Sequence, residues 1–158
     1  MILYDTIGMI EHSERNFPYV HAHVDMPFYS LLTADFVNNI SAFPNTVEKK
    51  GSELYYADNT KVGDWYEETQ LREGEMLRLT SLKALDQHFL VIDEQHITFV
   101  APADYATIVP GTTMLGVGSD GNFEIISSNT DYAIYLLVTQ LTTLTENAVR
   151  ARIIVQDL

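Results

Sequence analysis

The segment from Asp131 to Leu158 constrains the fold more than any other. It holds two β-branched and aromatic runs on either side of a polar break at Glu146-Asn147, a pattern that suits a long antiparallel strand pair. In the second run Val149, Ala151, Ile153 and Val155 fall on one side and Arg150, Arg152, Ile154 and Gln156 on the other. Alternate side chains of a strand share a face, so the run has a strand's period with Ile154 alone out of place. A pair of this length carries a wide apolar face that two strands cannot cover. The preceding residues are therefore expected to supply the rest of a β-sheet domain.

They do so in short pieces. Met1 to Asn16 sustains no period and reads as an extended N-terminal arm, which leaves residues 17–158 as a single β domain with a polar insertion at about 41–75. Alternation from Tyr19 to Met26, bracketed by Pro18 and Pro27, predicts one strand with His21, His23 and Asp25 on the same face. Phe28 to Asn39 favours a strand over a short helix at Leu31 to Asn38, and Leu54 to Ala57 and Met76 to Thr80 are further strand candidates. Ser81 to Gln87 suits one helical turn. Two apolar clusters in Phe89 to Val100, divided by Asp93-Glu94-Gln95-His96, predict a hairpin, and Asp120-Gly121 predicts a second between Met114 and Ser127. Such a series of short strands and turn signals implies a mainly β fold, an antiparallel barrel or sandwich with at most one short helix.

Composition narrows the partners. Hydrophobic residues make up 46% of the chain, enough for a packed core, while 22 carboxylates against nine Lys or Arg leave a formal charge of -13. That charge repels phosphate backbones and anionic lipid surfaces, so neither nucleic acid nor membrane is an expected partner. The apolar run around Ile134 to Val138 falls far short of the roughly 20 residues that span a bilayer. Met1 to Asn16, with Asp5, Glu11 and Glu14, lacks the form of a secretory signal. The chain has no cysteine, which excludes disulfides and thiolate metal sites.

His21-Ala-His23-Val-Asp25 is the sharpest chemical candidate, because two imidazoles and a carboxylate on one strand face can ligate a divalent metal. A cupin would add a Glu a few residues on and a later Gly-rich segment ending in His, whereas Met26-Pro27-Phe28 follow here. The polar face of a half-exposed strand explains the pattern more simply, so no metal and no cofactor are expected. Tyr55, Tyr56, Trp65 and Tyr66 suit either a stacking platform for a sugar, anchors of a protein interface or caps on a core. Gly111, Gly116, Gly118 and Gly121 precede a strand and lack the Lys of a phosphate loop, and Gly118-Ser119-Asp120-Gly121 is no nucleophile elbow. No enzymatic activity is expected.

Four stretches carry a family resemblance: Gly74-Glu75-Met-Leu-Arg-Leu79, Phe89-Leu-Val-Ile-Asp-Glu-Gln-His-Ile97, Val109-Pro-Gly-Thr-Thr-Met-Leu-Gly116 with Asp120-Gly-Asn-Phe-Glu124, and Thr143-Leu-Thr-Glu-Asn-Ala-Val-Arg-Ala-Arg-Ile-Ile154. In these the chain resembles the head decoration (capsid-stabilising, or cement) proteins of tailed bacteriophages. The resemblance implies a virion protein, made in the host cytoplasm, that binds the major capsid protein on the head surface as a homotrimer. On that reading Ile2, Leu3, Ile7, Met9 and Ile10 of the arm, with Trp65 and Tyr66, form the interface. The charged insertion departs from a minimal decoration protein. Two other classes stay open: a ligand- or carbohydrate-binding β module, such as a fibre or tail accessory domain, and a cupin-like metalloenzyme.

Overall fold

The structure, a computed structural model, describes residues 2–4, 20–44, 53–57, 70–93, 96–98, 105–118, 120–142 and 147–156. These contain fifteen strands: β1 (Ile2–Tyr4), β2 (Val20–His21), β3 (Met26–Pro27), β4 (Leu31–Asp35), β5 (Ile40–Ala42), β6 (Tyr55–Ala57), β7 (Gln70–Leu71), β8 (Met76–Leu77), β9 (Leu79–Ser81), β10 (Phe89–Ile92), β11 (Ile97–Thr98), β12 (Met114–Val117), β13 (Phe123–Ile126), β14 (Ile134–Thr142) and β15 (Ala148–Val155). Helix among the described residues is confined to the 3-10 turn Lys83–Leu85, where one helical turn was expected, to His96, and to Tyr105 and Ala106. The fold is mainly β, with a barrel-like sheet.

A seven-stranded sheet runs in the order β1-β10-β15-β14-β12-β13-β11. Its centre is the predicted C-terminal pair, β14 and β15, in register from Ile134↔Val155 to Thr142↔Ala148. The register shifts between Val138 and Gln140, and the Thr139 hydroxyl there donates to the Arg150 carbonyl at 3.1 Å. An irregularity of this kind increases the local twist and bends the strand. The inward residues Leu90, Ile92, Leu115, Phe123, Leu136, Val138, Val149, Ala151 and Ile153 are all essentially inaccessible and form the main core. Each large apolar side chain buried this way contributes on the order of 1.5–3 kcal/mol before the entropy of ordering the chain is subtracted. The predicted hairpin of β12 and β13 is present, with Gly121 at φ 84° in its turn.

The second sheet has the order β8-β2-β5-β4-β6-β9. Its two edges, β8 and β9, are separated in the chain by Arg78 alone. The sheet therefore curls until its edges are consecutive parts of one stretch, and the single strand expected over Met76 to Thr80 is instead a corner shared by both edges. Leu32 and Ala57 point to one face, where they meet Val20, Met26, Leu71 and Leu77 in a second core. Leu31 and Tyr56, paired across β4 and β6, point to the other face and join the main core. β4 is thus buried on both sides, and its start reads as an apolar run because neither face meets water. A short ribbon of β3 and β7 brings Met26 and Leu71 to the second core.

The sequence expectations are corrected at other places too. The single strand over Tyr19 to Met26 is divided: β2 pairs with β5 and β8, β3 pairs with β7, and the chain bends at His23 and Val24. The His23 backbone N–H donates to Ser41 Oγ at 3.2 Å instead of to a neighbouring strand, which ends the ladder there. The hairpin over Phe89 to Val100 does not form. β10 lies between β1 and β15, whereas β11 pairs in parallel with β13. Ile2 and Leu3, expected in an arm reaching for another subunit, belong to β1 at the edge of the chain's own sheet, opposite Ile92 and Val91. Within residues 41–75 the strand expected at Leu54 to Ala57 is present as β6, and Ser41, Leu54, Tyr55, Tyr56, Ala57 and Leu71 are buried.

His96 ties the two sheets together. It is 4% exposed, its Nε2 lies 2.6 Å from the Phe28 carbonyl just before β4, and its Nδ1 lies 2.9 Å from Asp93 Oδ1 at the end of β10. A carbonyl only accepts, so Nε2 carries a proton and donates. Burial works to raise the Asp93 carboxyl, but the His96 hydrogen bond and nearby positive charge more than offset it and hold the group below the usual carboxylate range. A depressed folded-state value contributes stability above the unfolded value near 3.9 and loses it as pH falls through the lower folded value. Thermal melts should accordingly show wild type more stable than Asp93→Asn at neutral pH, with the gap closing below about pH 4. A gap that stays constant into acid would show that the charge of Asp93 contributes nothing.

Candidate binding site at the hairpin tip

β4 and β5 are joined by the turn Phe36-Val37-Asn38-Asn39, and the carboxylate of Asp35 organises it. Asp35 Oδ1 accepts the backbone N–H groups of Val37 at 2.9 Å and Asn38 at 3.1 Å, while Oδ2 accepts Asn38 Nδ2 at 2.7 Å. The Asn38 side-chain bond first, and the two backbone bonds after it, hold the Asp35 carboxyl below its ordinary value. Asn39 then closes the turn at φ 58°, a left-handed conformation that Asn tolerates better than most residues. The result is a fixed turn that exposes three apolar side chains beside the polar Asp35, Asn38 and Asn39. Val37 is 89% exposed, Ile40 46% and Phe36 37%.

Behind the tip lies a cleft of about 530 Å³ along β4 and β5, reaching Glu53 and Tyr55. The Phe36 ring meets Tyr55 edge-on at 5.9 Å between centroids. Burial, with the hydrogen bond and charge of Glu53, pushes the Tyr55 hydroxyl up to about 12, so it stays protonated and donates. Glu53 Oε1 also accepts from Ser81 Oγ at 2.8 Å. These polar atoms are occupied with one another, which leaves the apolar side chains at the rim as the part able to engage something else. Scattered exposed apolar residues are ordinary, whereas here three stand together on one restrained hairpin.

The residues singled out for metal binding do not converge. His21 Nδ1 lies 3.1 Å from the Gly74 carbonyl, and His23 Nδ1 lies 2.8 Å from Ser41 Oγ with its ring edge-on to Phe43. Burial lowers the His23 pKa, with Glu73 acting in the opposite direction. Asp25 Oδ1 accepts the Glu73 backbone N–H at 2.7 Å, and its other oxygen lies 3.8 Å from Arg72. The bend at His23 and Val24 sends the three side chains to three separate partners. Among the described residues no three His, Cys, Asp or Glu side chains are grouped to hold a metal ion.

Of the aromatic candidates, Tyr55 and Tyr56 are core residues, 6% and 1% exposed. Trp65 and Tyr66, and Ile7, Met9 and Ile10 of the expected interface, lie outside the described residues. The tip residues Asp35, Phe36, Val37 and Ile40 escaped the sequence reading, since apolar residues after a strand look like more strand. The signal that marks them is Asp35 followed by Asn38, the spacing of a side-chain-capped turn. No helix among the described residues is long and apolar enough to cross a membrane. Comparison with protein-family models, with curated proteins and with solved structures gives no match.

Proposed function

We propose that this protein is a structural component of a tailed-phage particle, a head decoration protein that binds the capsid surface as a symmetric oligomer, a trimer on the resemblance above. The observation that carries the reading is the apolar tip of Phe36, Val37 and Ile40, held rigid by Asp35 before any partner arrives. A contact fixed in advance loses little conformational freedom on binding, so more of the burial energy appears as affinity. Full burial of such side chains contributes on the order of 1.5–3 kcal/mol each, and a closed oligomer presents the same contact several times. The acidic surface, formal charge -13, suits a protein partner rather than the packaged nucleic acid.

Co-sedimentation with phage heads tests this. Val37→Asp places a charge on a side chain that touches little in the free protein, so the melting temperature should stay within the effect of an ordinary surface change, roughly 0.5 kcal/mol. Attachment to heads should fall at least about tenfold, the loss of a desolvated apolar contact worth 1.4 kcal/mol or more. Equal attachment by Val37→Asp and wild type would remove the tip from the interface. Absence of attachment by the wild-type protein to any head would remove the virion reading itself.

A further inference from the structure

The outer face of the seven-stranded sheet holds a transverse row of which only Ile126, at its β13 end, packs against the main core. Register places Phe89 of β10 beside Arg152 of β15, Arg152 beside Leu137 of β14, Leu137 beside Met114 of β12, and Met114 beside Ile126 of β13. All five side chains are half-buried. Arg150, two residues from Arg152 and therefore on the same face, lays its guanidinium 4.4 Å above the Phe89 ring. Two of the chain's nine basic residues thus stand together on an apolar sheet face, in a protein with 22 carboxylates.

Arg152 is the unusual member. Its Nε is buried, and among the described residues it has no hydrogen-bond partner and no ion pair. A guanidinium N–H withdrawn from water and left without an acceptor is unfavourable, and the group best shaped to relieve it is a carboxylate, which accepts from Nε and a terminal nitrogen together. The neighbouring Phe89, Leu137 and Met114 offer apolar surface on both sides of that position. From this charge complementarity we propose that the face docks an acidic segment of a protein partner, with alternating carboxylate and apolar side chains, one carboxylate of which pairs with Arg152. This surface is separate from the β4–β5 tip, and its test uses no phage particle, so either reading can fail without the other.

The experiment is an NMR titration of the full chain, following the Arg152 Nε–H signal and the amides of Phe89, Leu137 and Arg152. The probe is a capped Thr-Glu-Val-Glu-Thr peptide, and the control is the same peptide with Gln in place of Glu, at equal ionic strength. The acidic peptide should shift these signals in a saturable way and bind at least about tenfold more tightly than the Gln peptide, as expected when a charge-assisted pair is replaced by a neutral one. Arg152→Gln should abolish the difference between the peptides, and Arg152→Lys, which keeps the charge but loses the fork, should retain part of it. An equal response to both peptides, or no response, overturns the proposal. Arg152→Met supplies a second reading: its melting temperature should equal or exceed wild type, because Nε has no hydrogen-bond partner to lose among the described residues. A fall of several degrees would make Arg152 a structural residue of the free chain and equally overturn it.

Discussion

Gly121→Val should destabilise the protein by about 2–6 kcal/mol, combining left-handed backbone strain of roughly 1–3 kcal/mol with an overpacking term of similar size. Gly121 has φ 84°, which a β-branched residue adopts only under strain. A Cβ at that position would lie 2.8 and 2.9 Å from two carbons of the Phe43 ring, and 3.4 Å from the Leu31 carbonyl oxygen. Phe43 has little room to withdraw, since its ring is packed edge-on against His23. The same residue also joins the sheets, because its carbonyl accepts the Leu31 N–H at 2.8 Å. Gly74 provides the control: its φ is 81° but nothing lies within 4 Å of an added Cβ. Gly74→Ala should therefore show the strain alone, about 1 kcal/mol, and Gly121→Ala should exceed it by the crowding. Urea denaturation measures both. Equal losses at the two sites would show that Phe43 does not confine Gly121.

His96→Ala should remove about 3–5 kcal/mol, the loss typical when one member of a buried charged or hydrogen-bonded pair is deleted and the other stays. Both ring nitrogens are in use, so the change leaves the Phe28 carbonyl without this donor and Asp93 without its imidazole. His96→Gln, which keeps one donor of similar reach, should recover part of the loss. Because His96 bridges the segment before β4 and the end of β10, the alanine variant should also loosen the coupling between the sheets and broaden the unfolding transition. A loss under about 1 kcal/mol would mean that the two sheets are joined mainly by Leu31, Tyr56 and their apolar neighbours.

The long elements were legible in the sequence because each leaves one face in contact with water or with a second chain segment. β15 alternates cleanly, and Asp120-Gly121 names its own turn. The smaller sheet was not legible for a physical reason. Its strands are two to five residues long, too short for a period to establish itself, and β4 is buried on both faces, so Leu31-Leu32 obscures the alternation that would have marked it. The bend between β2 and β3 depends on Ser41, and the parallel pairing of β11 with β13 depends on residues far along the chain. Neither is encoded locally. The same holds for the candidate site: Val37 reads as core by residue type, and only the side-chain bonds of Asp35 turn it outward.

The position of β10 between β1 and β15 also governs when the protein can be completed as it is made. During synthesis β1 emerges before β10 and must wait for its partner Leu90, and β10 in turn waits for Ala151. The central pair, β14 and β15, follows every other described strand in the chain, so the larger sheet has no middle until both have emerged. Until then its strands present unpaired edges, which invite association with other nascent chains. Completion of this sheet thus waits for β15 and is dominated by contacts distant in sequence, which are correspondingly slow to form.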